Sequence, residues 1–500
     1  MHRLRSRPSI PNGIRAPLPV RGFGIGSRLD QPRRPPRTGR PPDDPEAPDD
    51  PGRALVTGNT HVVIVGGGFG GINVARTLLR HGGSRIRVTL IDRRNHHLFQ
   101  PLLYQVATAG LSPADIATPI RAIFRGDPRI RVRLATATDV DLASRILTTD
   151  GGDVPYDHLV LACGATHAYF GHEEWEDRAP GLKTIEQATE IRRRVLTAFE
   201  RAEFESDREE RRRLLTFVIV GGGPTGVELA GALGELSRYT LTRDFRNIDP
   251  SSTRVILVEG GPRILPTFAP ELSHKAARSL EKLGVTLWTE TQVTQIDERH
   301  VHAGDEIVEA ATVLWAAGVK ASSLGEKLGV ELDRAGRVRV APDLSLPDHP
   351  EVFVIGDQAR VELDGRPVPG IAPAAIQQGR HVAKNILHDL RDSPREVFEY
   401  HDHGIMATIG RATAVLQRGT LRLNGLVAWL IWGFIHILYL IGFRNRLLVF
   451  IQWTWSYFRH GRGARIITEP DWRLHGVHSP ASTGRRHAPD DPGDPRKERS

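Results

Sequence analysis

The chain has 500 residues, 39% apolar and 25% charged, with 50 glycines and 35 prolines. That composition excludes a small module, a collagen-like repeat and a wholly disordered chain, and points to two or three packed domains. One cysteine, Cys163, excludes a disulfide framework, a cysteine-rich zinc site and any reaction needing a dithiol pair, and no metal site is expected. The formal charge of +8 rests on 60 Arg and 7 Lys, a bias that genome composition explains as readily as a nucleic-acid surface, so charge alone names no partner.

Residues 1–58 are rich in Pro, Arg and Gly, carry QPRRPPRTGRPP and DDPEAPDD, and have no sustained apolar period, so they read as a disordered extension. They contain no continuous apolar stretch of a secretory signal and too much proline for an amphipathic transit helix. The folded part then begins with HVVIVGGGFGG, a buried β-run followed by Gly66-x-Gly68-x-x-Gly71, a helix, and the strand RVTLID ending at Asp92. The pattern recurs in TFVIVGGGPTGVELAG, with Gly221-x-Gly223-x-x-Gly226, and RVILVEG supplies the acid Glu259. Each copy has strand, glycine turn, helix, strand and acidic end in the order of a dinucleotide-binding unit. The first glycine allows a tight turn, the second leaves room for a pyrophosphate, and the third lets helix and strand pack closely. The helix N-terminus offers unpaired N–H groups to phosphate, and the acid can accept from ribose hydroxyls. Asp92 lies 21 residues after Gly71, near the usual spacing, whereas Glu259 lies 33 after Gly226, which predicts an insertion around Arg238–Ser252.

Two such units in one chain predict a resident flavin on the first and a visiting nicotinamide on the second, because hydride transfer needs a donor and an acceptor held together. The short apolar runs HLVLACGAT, TVLWAAGV and EVFVIGDQA are predicted to return to the first sheet. The last ends in Gly356-Asp357, where an acid after glycine can reach a flavin hydroxyl or simply cap a turn. The RRR runs at 192–194 and 211–213 are interspersed with Glu and read as a solvated helix face, so no nucleic-acid partner is expected.

Near the C-terminus, GLVAWLIWGFIHILYLIGF (425–443) is uncharged over 19 residues, Arg444-Asn445-Arg446 interrupts it, and LLVFIQWTWSYF follows. A transmembrane anchor, a pair of helices lying in one leaflet, and a dry protein interface all fit this pattern. The arginines between aromatic stretches containing Trp429, Trp432, Tyr439, Trp453, Trp455 and Tyr457 favour helices at headgroup depth, through about 425–458. His436 is expected to be a satisfied polar group within the packing. Residues 463–500 read as a second disordered tail.

From about Thr60 to His460 the chain resembles the type II NADH dehydrogenases, single-subunit, non-pumping NADH:quinone oxidoreductases that contain FAD. The resemblance rests on VVIVGGGFGG, HHLFQPLLYQVATAGLSPADIA, FVIVGGGPTGVELAG, TVLWAAGV, VFVIGDQA, the AIQQG run and GIMATIGRATAV. It implies an α/β fold of two Rossmann-like dinucleotide-binding domains, a two-dinucleotide-binding flavoprotein, plus a C-terminal membrane-associating segment. The expected boundaries are 59–175 and 346–400 for the two parts of the FAD-binding domain, 176–345 for the NADH-binding domain, and 401–462 for the membrane-associating region.

Gly66, Gly68, Phe69, Gly70, Gly71, Asp92, Gln100, Gln105, Gly356 and Asp357 are then expected at tightly, non-covalently bound FAD. Gly221, Gly223, Pro224, Thr225, Gly226, Glu259 and Gly318 are the remaining expected cofactor-binding residues, with Glu259 facing the adenosine ribose of NADH. Glu228, Gln377 and Gln378 are candidates at the quinone end, Glu228 for proton supply or as an acid at a helix start. Two departures from the family stand out: Pro373 replaces the first glutamine of Ala-Gln-x-Ala-x-Gln, and Arg411 is followed by Ala412 and Thr413 where a basic residue is common.

The expected reaction passes hydride from NADH to flavin N5, then two electrons to a membrane quinone, without proton pumping. The expected setting is the cytoplasmic face of the cell membrane, with peripheral attachment and a homodimer. A sulfide:quinone oxidoreductase would need the cysteine pair this chain lacks. A flavoprotein reductase with a non-quinone acceptor and a nucleotide-sensing scaffold remain as alternatives.

Overall fold

β-branched residues dominate Thr60–Val65 (β1), THVVIV, and its last four positions are buried, as a central parallel strand requires. The computed structural model describes residues 59–363, 365–459 and 463–468; the predicted extension 1–58 and the tail from 469 lie outside them. After β1 come Phe69–His81 (α1), Ile86–Asp92 (β2), Ile130–Leu134 (β3) and His158–Leu161 (β4). β1 pairs in parallel with β2 on one side and β4 on the other, and β3 lies beyond β2.

The chain then builds a second unit from Ile185–Phe204 (α2), Thr216–Val220 (β5), Pro224–Glu235 (α3), Arg254–Val258 (β6), Pro270–Lys282 (α4), Val285–Trp288 (β7) and Thr312–Trp315 (β8). Its sheet has the order β7-β6-β5-β8, all parallel. His349–Val354 (β9) returns to pair in parallel with β4, and Ala372–Asp389 (α5) packs on α1. A Cβ on Gly379 would run into the Gly70 backbone, so these glycines set how closely the two helices approach. Three antiparallel strands follow, Ile405–Thr408 (β10), Ala414–Arg418 (β11) and Leu421–Asn424 (β12), then Gly425–Tyr439 (α6) and Phe443–Arg459 (α7).

Of the three predicted return strands, two join the first sheet as β4 and β9, but TVLWAAGV does not: β8 pairs with β5 and closes the second sheet. Its burial on every position suits either sheet, and only the parallel register to Phe217–Val220 decides. The predicted insertion is a run of short irregular helical turns, Leu236–Thr240, Leu241–Arg243 and Pro250–Ser252. Of the arginine runs expected on a solvated helix face, Arg193 and Arg194 pair with Glu190 on α2 and Arg213 pairs with Glu210, but Arg192 and Arg213 are buried, because these positions of the runs turn inward.

The C-terminal segment is corrected in one respect. The 19-residue uncharged stretch is broken after Tyr439 by an extended Leu440 and by Gly442 at φ +91, and among the described residues no helix is long and apolar enough to cross a membrane. The break precedes Arg444-Asn445-Arg446, which begin α7 instead of separating two helices. One side of this hairpin packs on the protein: Trp432 and Val449 are buried, Trp432 stacks on Trp453 at 5.1 Å, and Asn445 donates to the Ala114 carbonyl. The other side leaves Leu426, Val427, Leu430, Phe434, Leu447, Phe450 and Ile451 exposed. The side chains of 455–459, including Trp455 and Tyr457, lie outside the described set.

Candidate functional site

The two glycine turns share one geometry. Gly66 and Gly221 adopt φ +109 and +108, and their N–H groups donate to Ile91 and Val258 at the ends of the neighbouring strands, at 2.8 and 2.7 Å. A Cβ on Gly71 would overlap the Gly66 carbonyl, and one on Gly226 would overlap that of Gly221. By contrast, Gly68 and Gly223 face open space, with nothing within 4 Å of where a side chain would start. Each begins its helix without a side-chain cap, and neither α1 nor α3 has an acid in its first turn. Two helix N-termini therefore keep their donors and positive dipole ends for an anion.

The acidic ends repeat in the same way. Asp92 accepts from Gly67 N at 2.6 Å and Arg94 N at 2.7 Å; Glu259 accepts from Gly222 N at 2.6 Å and Gly261 N at 2.7 Å. These bonds fix each carboxylate against its glycine turn while leaving lone pairs for ribose hydroxyls. Pro224 and Thr225 are exposed at the start of α3. Gly318 sits under the ring of Phe170, which is 70% exposed beside the second sheet.

Across the first sheet, Gly356 takes φ +72 and donates its N–H to Gln378 Oε1 at 2.6 Å, while Asp357 pairs with Lys183 at 3.7 Å. Gln100 donates to the Lys183 carbonyl. Buried Gln378 is thus a brace for the Gly356 turn. Gln377 is tied by both ends of its amide to the main chain of His401, at 3.0 and 2.9 Å, on the exposed side of α5. Pro373 falls in the first turn of α5, where its missing N–H removes no helical bond.

Glu228 is not at a helix start. α3 begins at Pro224, so the acid is one turn in, and its helix-terminus explanation falls away. Protein crowds it: burial pushes its carboxyl up to about 8, against a weak opposing contact from Thr408 N at 3.4 Å. A polar chain leads away from it. Tyr104 OH lies 3.0 Å from Thr408 Oγ1, Gln105 Nε2 donates to Tyr104 OH at 3.0 Å, and Trp453 Nε1 on α7 donates to Gln105 Oε1 at 2.8 Å. Burial raises the Tyr104 hydroxyl, and the Glu228 carboxylate raises it further, so Tyr104 stays a neutral donor.

A second path is aromatic. Phe69 meets His97 and Phe99 edge-on, Phe99 meets His436, and His436 stacks on Trp432 at 4.3 Å. Burial holds both His97 and His436 down to about 4, and each places Nδ1 on a carbonyl, of Gly67 and Trp432 respectively, so both are neutral. His436 is the satisfied group the sequence predicts. Cys163 has its thiol pushed up to about 12 by burial, which leaves it inert.

The structure therefore brings Glu228 together with Gln105 through Tyr104 and Thr408, and sets Gln377 apart from them. Tyr104 and Thr408 stand inside runs the sequence marks, and Trp453 is one of its marked aromatics, but Thr408 reaches Tyr104 from 304 residues away and Trp453 reaches Gln105 from the C-terminal hairpin, and no local signal announces that they meet. Lys183 lies in no marked run, and His97 lies in one, but its place as a buried imidazole against the glycine turn has no sequence signature.

The profile of the pyridine nucleotide-disulphide oxidoreductases matches residues 60–379. The type II NADH:quinone oxidoreductase Ndh of Mycobacterium tuberculosis is 44% identical across 82% of this chain and 90% of its own length. NdhA of the same organism, also a type II NADH:quinone oxidoreductase, is 45% identical across 83% of this chain and 91% of its own. Among solved structures, NDH2 from Plasmodium falciparum in complex with NADH superposes with a TM-score of 0.74 at 20% identity, covering 82% of this chain and all of that one, a likeness of fold.

Proposed function

The chain belongs to the type II NADH:quinone oxidoreductases, and from that premise we propose how its own residues divide the work. It is a flavoprotein that oxidises NADH and reduces a quinone. FAD is the flavin, held without a covalent bond by the first cradle, and NADH docks on the second. When bound, the flavin takes the hydride of NADH and passes two electrons to the quinone.

The repetition of one cradle, down to the two backbone bonds on each strand-end acid, is the observation that carries this reading. The first turn of α1 receives the pyrophosphate of FAD, Asp92 its ribose, and Gly356 and Asp357 close the other side, with Gln378 bracing that wall. The first turn of α3, with Pro224 and Thr225, receives the pyrophosphate of NADH. Glu259 takes the adenosine ribose and excludes NADPH, whose 2′-phosphate would face a carboxylate.

Quinone reduction consumes two protons. Glu228 holds one at its carboxyl oxygen at neutral pH, because ionising it there is unfavourable, and the same burial draws a proton back after release. Tyr104, Gln105 and Thr408 orient this end of the site, and Gln377 anchors the loop at His401. The exposed apolar side of the α6–α7 hairpin supports peripheral attachment within one leaflet, at the cytoplasmic face of the cell membrane, where quinone is available. A homodimer follows from the family resemblance.

The test is turnover in sealed vesicles with a membrane quinone and an internal pH reporter. NADH-driven quinone reduction without a pH gradient is the expected result. Turnover with a diffusible acceptor and none with quinone would overturn the reading.

A further inference from the structure

The face of α1 that carries Phe69, Ile72, Asn73 and Arg76 at helical spacing runs from the core, where Ile72 is buried, out to an exposed Arg76. It lines a cavity of about 390 Å³ shared with Ile376 and Arg380 of α5 and with residues 438–442 and Arg446 of the hairpin. Three guanidiniums from three segments meet there, and among the described residues no carboxylate pairs with any of them. The local sequence explains why. α1 contains no acid, α6 and α7 contain none, and the only acid of α5, Asp389, is taken by Arg395 at 2.7 Å. Arg446 Nε donates to the Leu440 carbonyl at 2.7 Å, which fixes the plane of its guanidinium and leaves its terminal nitrogens for another acceptor.

Like charges brought together without a counter-ion are unfavourable. Burial lowers the Arg76 guanidinium from its ordinary value, and the nearby Arg380 and Arg446 lower it further. An anion with several acceptor oxygens would reverse that repulsion, and a phosphate matches the fork of a guanidinium. Apart from Asn73 and the neutral His97 the remaining walls are apolar, and Leu438 and Tyr439 at the rim are 48% and 44% exposed, continuous with the apolar side of the hairpin. A free phosphate would leave those walls uncovered, whereas a lipid fills both halves of the cavity.

We propose that this cavity is a specific site for an acidic phospholipid, with Arg76, Arg380 and Arg446 on the headgroup phosphate and the acyl chains along the α6–α7 hairpin. The site rests on the membrane attachment proposed above, and it adds a chemical preference that attachment by apolar side chains alone lacks.

The experiment uses the full flavin-loaded chain and flotation with phosphatidylcholine vesicles, with and without phosphatidylglycerol. The wild type is expected to bind the acidic vesicles about thirtyfold more tightly, from two or more arginines near an anionic surface. Arg76→Gln with Arg380→Gln should bring that preference to within about threefold while binding to neutral vesicles is retained. The charge-matched pair Arg80→Gln with Lys384→Gln lies one turn further along the same two helices and should keep the preference.

Equal losses from both pairs, or no loss from the first, would overturn the site. Inorganic phosphate abolishing the preference at millimolar concentration would assign the cavity to free phosphate and overturn the lipid. Failure of the wild type to bind either vesicle would instead overturn the hairpin attachment. If the double variant loses its flavin, Arg76→Gln alone carries the test with an expected loss of about fivefold.

Discussion

Replacing Glu228 with Gln should stabilise the protein in a strongly pH-dependent way. The folded chain holds the Glu228 proton up to about pH 8, while the unfolded chain releases it near 4.5. Between those values the folded state binds more protons, so the contribution of this group to stability falls as pH rises and reaches its full loss above pH 8. A shift of that size corresponds to about 5 kcal/mol, which solvent reaching the half-buried carboxyl reduces to roughly 3 kcal/mol. Glu228→Gln keeps the shape and removes the ionisation, so its melting point should match wild type at pH 5 and exceed it by about 5 °C at pH 9.

Thermal scans of the flavin-loaded protein across that range measure the difference directly. The second half-reaction supplies an independent reading: quinone reduction by wild type should decline above pH 8, while the rate in Glu228→Gln should be lower and flat. A melting difference that does not change with pH, or wild-type quinone reduction that stays level through pH 9, would refute the argument that this acid is held protonated.

Three further changes separate the parts of the site. Glu259→Gln should relax the choice of NADH over NADPH by about tenfold or more, read as the ratio of kcat/KM values, because the carboxylate no longer repels the 2′-phosphate. Trp453→Phe removes the donor to Gln105 and should slow quinone reduction while leaving flavin bleaching by NADH unchanged, at about 1 kcal/mol of stability. Cys163→Ala should keep full turnover, and the native thiol should resist alkylation below pH 9, since burial holds it protonated.

The parts of this protein that depend on short stretches of chain were legible in the sequence. VVIVGGG and FVIVGGG carry strand, turn and helix start within a dozen residues, and the acids at 92 and 259 sit where the next strand ends. The placement of TVLWAAGV was not legible, because a short fully buried strand fits the edge of either sheet and only long-range register chooses. The hairpin break was hidden for a different reason. Apolar length alone favours a continuous span, and the turn at Leu440–Gly442 forms because Trp432, Asn445 and Val449 dock one side of the segment on the protein. The Glu228 network was half visible: the acid and Gln105 lie in marked runs, but what makes the carboxyl basic is packing by elements far apart in sequence.

Anaerobic half-reactions test the central claim most directly. The purified chain should show a flavin spectrum, bleach on addition of NADH, and recover promptly when a short-chain quinone is added. Bleaching without recovery would contradict the assignment of a quinone as the acceptor, and no bleaching with NADH would contradict the doubled cradle as the basis of function.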